Sequence, residues 1–306
     1  MSSIATRPVR RRRDLTPLLL LIPAGVVLLA LTGWPLIQLV VTSLFEYGRA
    51  QIFGAPPVFV GLDNYLAVLT DLEFWEVLGR SVAFCLANVA LTMLLGISIA
   101  FLMSKLGKGF KLLVSVGLLL AWAMPALTAS VVWGWMFDTE RGVINWLLTN
   151  VTGIDFIGHS WLIQPLSFFF VATIIVTWQA IPFVAFTTFA ALTQVPVEVL
   201  EAASIDGATG WQRFRHIVFP YLRGVLVIVL VLEIIWDMRV FPQIYALQTI
   251  GGIAEETRTI GIYIYNVSIS SGDLGTGGAI SVILVLVMLA LSGYYIRSLL
   301  KAEVEQ

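Results

Sequence analysis

Charge is scarce in this chain of 306 residues: Asp, Glu, Lys and Arg together make up 12%, about half of what a soluble globular chain carries. Apolar residues account for 58%, and the mean hydropathy is +0.92. A soluble fold cannot cover that much apolar surface, so water-soluble enzymes are excluded, and no nucleic-acid partner is expected. Cysteine is nearly absent: Cys85 stands alone within an apolar run, which excludes a disulfide framework and a thiolate metal cluster. No phosphate-binding glycine loop is present either. Gly107-Lys108-Gly109 lacks both the upstream glycine and the following hydroxyl residue, so the chain is not expected to hydrolyse ATP by itself. Neither an internal repeat nor a low-complexity linker interrupts the sequence.

What is abundant is long apolar runs. A helix needs about 20 apolar residues to cross roughly 30 Å of hydrocarbon. Six runs meet that length, at 17–45, 79–103, 112–136, 165–192, 222–245 and 277–300. Pro23, Pro35, Pro125, Pro182 and Pro242 interrupt them and are expected to kink the helices, which membrane spans tolerate. The partition expected is a basic segment at 1–16 followed by one six-helix domain at 17–306. That makes the chain an all-α integral membrane protein.

The basic residues orient the spans. With the N-terminus inside, the inner segments hold Arg7, Arg10, Arg11, Arg12, Arg13, Lys105, Lys108, Lys111, Arg213, Arg215, Arg223, Arg297 and Lys301, whereas the outer ones hold Arg49, Arg80, Arg141 and Arg258. The excess inside satisfies the positive-inside rule and predicts that both termini are cytoplasmic. Trp34, Trp75, Trp133, Trp135, Trp146 and Trp161 fall near the outer loops, where interfacial anchors belong. His159 and His216 fall on opposite sides and cannot share a metal.

The loop between spans four and five, at about 193–222, is the most informative. Pro196 suits the first turn of a helix, and Glu198 complements its positive end. Gly207 permits a sharp turn, Thr209 can cap a second short helix, and Pro220 marks the start of span five. Two short helices across the cytoplasmic surface are therefore expected. The residues read Glu201-Ala202-Ala203, three residues to Gly207, nine residues, then Ile217-Val218-Phe219-Pro220. This pattern resembles the EAA loop of importer-type ABC permeases, with Phe219 in place of a leucine. Val60-Gly61-Leu62-Asp63-Asn64-Tyr65, Gly142-Val143-Ile144-Asn145 and Phe241-Pro242-Gln243-Ile244-Tyr245 resemble segments of the carbohydrate-uptake group, on the side of the maltose-type F subunit. Within that group the likeness runs toward trehalose importers of actinobacteria. Pro242 and Ile253 depart from the family pattern.

The resemblance implies a type I ABC importer permease fold in a bacterial plasma (inner) membrane. It implies a second permease subunit, a dimer of ATPase subunits, an extracytoplasmic sugar-binding protein and a sugar substrate. This chain would bind no cofactor, and ATP and Mg would sit on the partner ATPase. Glu201, Ala202, Ala203, Asp206 and Gly207 would form the coupling helix that docks into a cleft of that ATPase.

Glu233 and Asp237 carry the substrate expectation. They lie about 16 and 22 Å along span five from its inner start, where ionisable groups are costly and normally face a polar cavity or a partner. A spacing of four puts both carboxyls on one face. Trp236 adjoins them, and a carboxylate beside an aromatic plane suits a sugar's hydroxyls and its apolar face. The family resemblance adds Gln179 and Phe183 from span four and Trp122 from span three. It implies that Gln179, Glu233 and Asp237 bond hydroxyls between walls made by Trp122 and Phe183. Val240 is polar in the family pattern and Gln179 is apolar there, so a different sugar pose is expected.

Other roles for these residues stay open. Asp237 can pair with Arg239, or both carboxyls can bond a partner subunit. An ion-coupled secondary transporter would use Glu233 or Asp237 as a proton relay. A membrane-embedded hydrolase would need a nucleophile and base, and none accompanies them. Asn88 is expected to bridge helices, and Gly96 and Gly117 to allow close helix packing.

Overall fold

A computed structural model describes residues 16–304. The basic segment expected at 1–16 lies outside the described residues except for Thr16. In chain order the elements are α1 (Thr16–Leu28), a π-helical turn at Leu29–Gly33, α2 (Trp34–Ser43), β1 (Phe45–Glu46), α3 (Arg49–Ile52), β2 (Val58–Phe59), α4 (Asp63–Thr70), α5 (Leu72–Lys105), α6 (Lys108–Ala123), α7 (Ala126–Met136) and α8 (Val143–Thr152). They continue with α9 (Pro165–Leu192), α10 (Val197–Ile205), α11 (Gly210–Arg213), a second π-helical turn at Phe214–Val218, α12 (Phe219–Asp237), α13 (Pro242–Ile250), α14 (Ile260–Tyr265), a third at Asn266–Ser270, and α15 (Leu274–Val304).

Five continuous helices are long and apolar enough to cross a membrane: Leu19–Ser43, Leu72–Lys105, Pro165–Leu192, Gly210–Asp237 and Leu274–Gly293. The sixth crossing is a broken one, because α6 and α7 meet at an angle of 102°. Span three is thus not the single helix expected over 112–136. Pro125 has no N–H to donate and forces Met124 out of the helical region, to ψ 125°, so the helix breaks where a kink was expected. Pro182, by contrast, sits inside the unbroken α9.

Span five differs as well. Its helix stops at Asp237, and Pro242 opens the separate α13; the expected run to 245 fused two elements because both are apolar. In the loop between α9 and α12 the second short helix is not separate. Thr209 does cap it, its hydroxyl accepting from the Gln212 amide at 3.3 Å while the Gln212 side chain accepts from the Thr209 amide at 2.7 Å. The helix so begun passes through the π-helical turn at 214–218 directly into α12. Span two starts earlier than 79, because Asp71 accepts from the Glu73 amide and caps α5 at Leu72.

Helices α5 and α9 form the most extensive pairing in the bundle. Gly96 makes it close: a methyl group there would lie 2.6 Å from Val184 Cβ. Gly117, also expected at a tight crossing, meets nothing within 4 Å in this chain. Asn88 and Thr92 precede Gly96 at steps of four, on the same stripe of α5. Asn88 is fully buried there, yet neither polar atom of its side chain finds a partner among the described residues.

The connections after the first span and around α8 are held by side chains that bond main-chain groups. Asn64 donates to the carbonyls of Ser43 and Phe45, both at 2.9 Å, and so ties β1 to the end of the first span. Asn145 donates to the His159 carbonyl at 2.9 Å and accepts from the Trp161 indole at 2.6 Å. Phe137 and Phe156 pack on Trp161.

Replacing Gly96 by Ala should push α5 off α9 and cost about 1–3 kcal/mol of overpacking. A lower thermal midpoint of the purified protein is expected for Gly96→Ala and an unchanged one for Gly117→Ala; equal midpoints would contradict the close crossing.

Candidate functional site

The two places where a membrane helix breaks lie beside each other. The α6–α7 break at Met124–Pro125 and the end of α12 at Asp237 border one cavity of about 240 Å³. Main-chain groups freed at a break are costly at membrane depth unless protein groups satisfy them. Here the Gln179 amide, from α9, donates to the Met124 carbonyl at 3.2 Å. The Gln179 carbonyl in turn accepts from the Gln243 side chain of α13 at 3.0 Å.

All five residues expected at a substrate site line this cavity: Trp122 from α6, Gln179 and Phe183 from α9, and Glu233 and Asp237 from α12. The spacing of four places both carboxyls on one side of α12. Glu233 is 2% exposed and Asp237 3%. Neither Asp237 oxygen has a hydrogen-bond partner among the described residues. A buried, charged carboxyl with no partner costs several kcal/mol, which marks this wall as a place where hydrogen-bond donors would be favoured. The pairing with Arg239 is not formed: the one ion pair among the described residues joins Arg258 to Glu73. Arg239 instead lines an adjoining hollow with Trp236 and Pro242.

Gln243 is the polar side chain of the lining that was not expected from the sequence. Its side-chain oxygen is buried and without a partner, so it adds an acceptor to the wall made by the two carboxyls. The reasoning that singled out Glu233, a polar side chain at membrane depth, applies equally to it. Gln179, expected to bond a substrate directly, gives one N–H to Met124 and accepts one bond from Gln243, which orders the wall and leaves a second donor and a second acceptor site on its side chain. Val240 also lines the cavity, and the indole of Trp122 and ring of Phe183 form its apolar sides. No group of His, Cys, Asp and Glu able to hold a metal occurs among the described residues.

The second candidate element is α10, with no buried residue. Gly207, at φ +80°, ends it in a Schellman arrangement: the Gly207 amide bonds the Ser204 carbonyl at 3.1 Å and the Ala208 amide bonds the Ala203 carbonyl at 2.9 Å. A glycine four residues after the second alanine is what this cap requires, since only glycine adopts that conformation without cost. Arg213 donates to the Ser204 hydroxyl at 2.6 Å and staples α10 to the start of the next helix. Glu201, Ala202 and Asp206 are exposed, Ala203 is half-buried, and Ile205 is 87% exposed. The helices flanking α10, α9 and α11–α12, are the ones that carry Gln179, Phe183, Glu233 and Asp237 to the cavity.

The model of the family described as binding-protein-dependent transport system inner membrane component matches residues 92–306. A diacetylchitobiose uptake system permease protein of Streptomyces coelicolor is 37% identical over 300 residues, covering 98% of this chain and 91% of that protein. A trehalose/maltose transport system permease protein of Thermococcus litoralis is 35% identical over 239 residues, 78% of this chain and 79% of that one. Among solved structures, a bacterial ABC transporter that imports the acidic polysaccharide alginate aligns with a TM-score of 0.77 at 19% identity, over 94% of this chain and 95% of that one, and so shares its fold. Six crossings with one of them broken, the capped loop of Ala203 and Gly207, and these alignments agree: the chain is a multi-pass permease of the binding-protein-dependent transport system inner membrane component family.

Proposed function

We propose that the chain forms half of the translocation path of an ATP-driven sugar importer and that the cavity under the two helix breaks is where the sugar pauses in the membrane. The observation that carries this reading is the convergence of Trp122, Phe183, Glu233, Asp237 and Gln243 on one cavity. Acceptors on one wall and aromatic planes on the others suit a solute that has many hydroxyl donors and apolar ring faces. Relatives named for diacetylchitobiose and for trehalose/maltose support a disaccharide, trehalose or a maltose-like sugar among them.

Energy enters through α10. Its exposed Ile205, the small side chains of Ala202 and Ala203, and the charged Glu201 and Asp206 form a surface suited to the groove of a cytoplasmic ATPase, on which ATP and Mg would bind. Both termini would then be cytoplasmic, and an extracytoplasmic sugar-binding protein would deliver solute to the outer loops. The second permease subunit would close the cavity's open side. Closure of the ATPase pair would push α10, and α9 and α12 would carry that displacement to the cavity walls. From Phe183 to Leu192, nine residues of helix span about 14 Å, so the link is short and stiff. Outward opening admits sugar and the return after hydrolysis releases it inward.

Replacing Asp237 by Ala removes two acceptors of charge-assisted bonds, worth about 10–100-fold in affinity. Sugar uptake by the assembled transporter in vesicles should fall by at least that much while ATP hydrolysis persists. Unchanged uptake would refute the assignment. Replacing Gly207 by Val puts a branched side chain at φ +80°, strained by about 1–2 kcal/mol or more. Hydrolysis without uptake, or loss of the ATPase from the purified complex, is expected; normal coupled uptake would argue against docking through α10.

A further inference from the structure

A groove separate from the cavity runs down the outer half of α5 and α9, with a volume of about 760 Å³. Its lower banks are apolar. Ala83 and Ala87, four residues apart on α5, leave a shallow trench, and Phe169 and Phe170 of α9 form the opposite wall. Phe84 closes the floor against Phe169, with ring centroids 5.3 Å apart.

One end of the groove is polar. Arg80 lies there with Gln164 and Ser167. Helix lengths place these groups at one level of the membrane. The 34 residues of α5 extend about 51 Å, some 20 Å more than the hydrocarbon is thick. Arg80, eight residues after Leu72, is therefore about 12 Å from the helix end, at the boundary of hydrocarbon and headgroups when the excess is shared between both ends. The 28 residues of α9 extend about 42 Å, and the same division puts Gln164 and Ser167, at its start, in the same layer. Trp161, also in the groove, is an aromatic residue of the kind that favours this layer.

Arg80 is short of partners. Its guanidinium makes one bond, from Nη1 to the Arg258 carbonyl at 3.3 Å, and the ion pair among the described residues belongs to Arg258 and Glu73. Four N–H groups in a planar fork match the oxygens of a phosphate, and a half-buried cation at the edge of hydrocarbon favours an anion beside it. A cation with polar neighbours above and a slender apolar trench below has the chemistry of one ligand class, a phosphate carrying long alkyl chains.

We propose that this groove binds a glycerophospholipid of the leaflet in which α5 begins, with its phosphate on Arg80 and one acyl chain in the trench between Ala83, Ala87 and Phe169, Phe170. The site does not depend on which solute the transporter carries.

The test is native mass spectrometry of the assembled transporter, stripped of lipid and titrated with palmitoyl-oleoyl phosphatidylglycerol. One tightly held lipid is expected for the wild type and for Arg80→Lys. Arg80→Ala should weaken it about 10–100-fold through loss of the charge-assisted bonds. Ala87→Trp fills the trench without touching Arg80 or Arg258 and should weaken it similarly, which separates a bound acyl chain from nonspecific attraction to Arg80. Equal lipid affinity in the wild type and both weakening variants would overturn the proposal, as would a wild type that retains no lipid.

Discussion

A polypeptide in hydrocarbon has no water to satisfy its main chain, and the arrangement of this protein follows from that constraint. Helices answer it along most of the chain. Where helices stop inside the membrane, at Met124–Pro125 and after Asp237, the freed groups need side chains, and the Gln179 amide meets the Met124 carbonyl. Irregular main chain at membrane depth is tolerated where it lines a cavity, and transporters place their sites at such breaks. The carboxyls of Glu233 and Asp237 lie at the same spot, and a polar cavity is one of the few places at that depth where their cost can be offset.

The same two helices serve both ends of the molecule. Helix α9 carries Gln179 and Phe183 and then runs to the loop before α10; α11 and α12 return from that loop to Glu233 and Asp237. The cap at Gly207 and the bond from Arg213 to Ser204 tie α10 to the start of the returning helix. Geometry of this kind transmits motion as movement of rigid elements, which is how packed helices usually respond.

Much of this could be read in the residues, and what could not has identifiable causes. Hydropathy located the crossings because length and apolarity alone decide them. It could not see the break at Pro125, which looks in sequence like the unbroken Pro182; the difference is that Met124 adopts an extended conformation and its carbonyl finds Gln179, a tertiary partner. It fused α12 to α13 because both are apolar. Thr209 was legible as a cap, but the continuity of its helix into α12 depends on a π-helical turn with no composition of its own. Of the loop motif, the glycine has a local physical reason, the positive φ of Gly207 in the cap that ends α10. The other resembling segments divide between scaffold and cavity: Asn64 and Asn145 tie connecting loops, while Gln243 lines the cavity. A contiguous motif does not announce which of these roles it has.

A solute that passes through the cavity at the two breaks should shield a thiol placed in that cavity. Ala180 lines it, and Cys85 is the chain's one cysteine, so a single thiol can be installed there once Cys85 is replaced by Ala. The rate at which a small water-soluble thiosulfonate modifies Ala180→Cys in the assembled, turning-over transporter is the most direct measurement. Reaction slowed several-fold by whichever of diacetylchitobiose and trehalose the transporter takes up is the expected result. A thiol that never reacts, or one whose rate ignores the transported sugar, would contradict it.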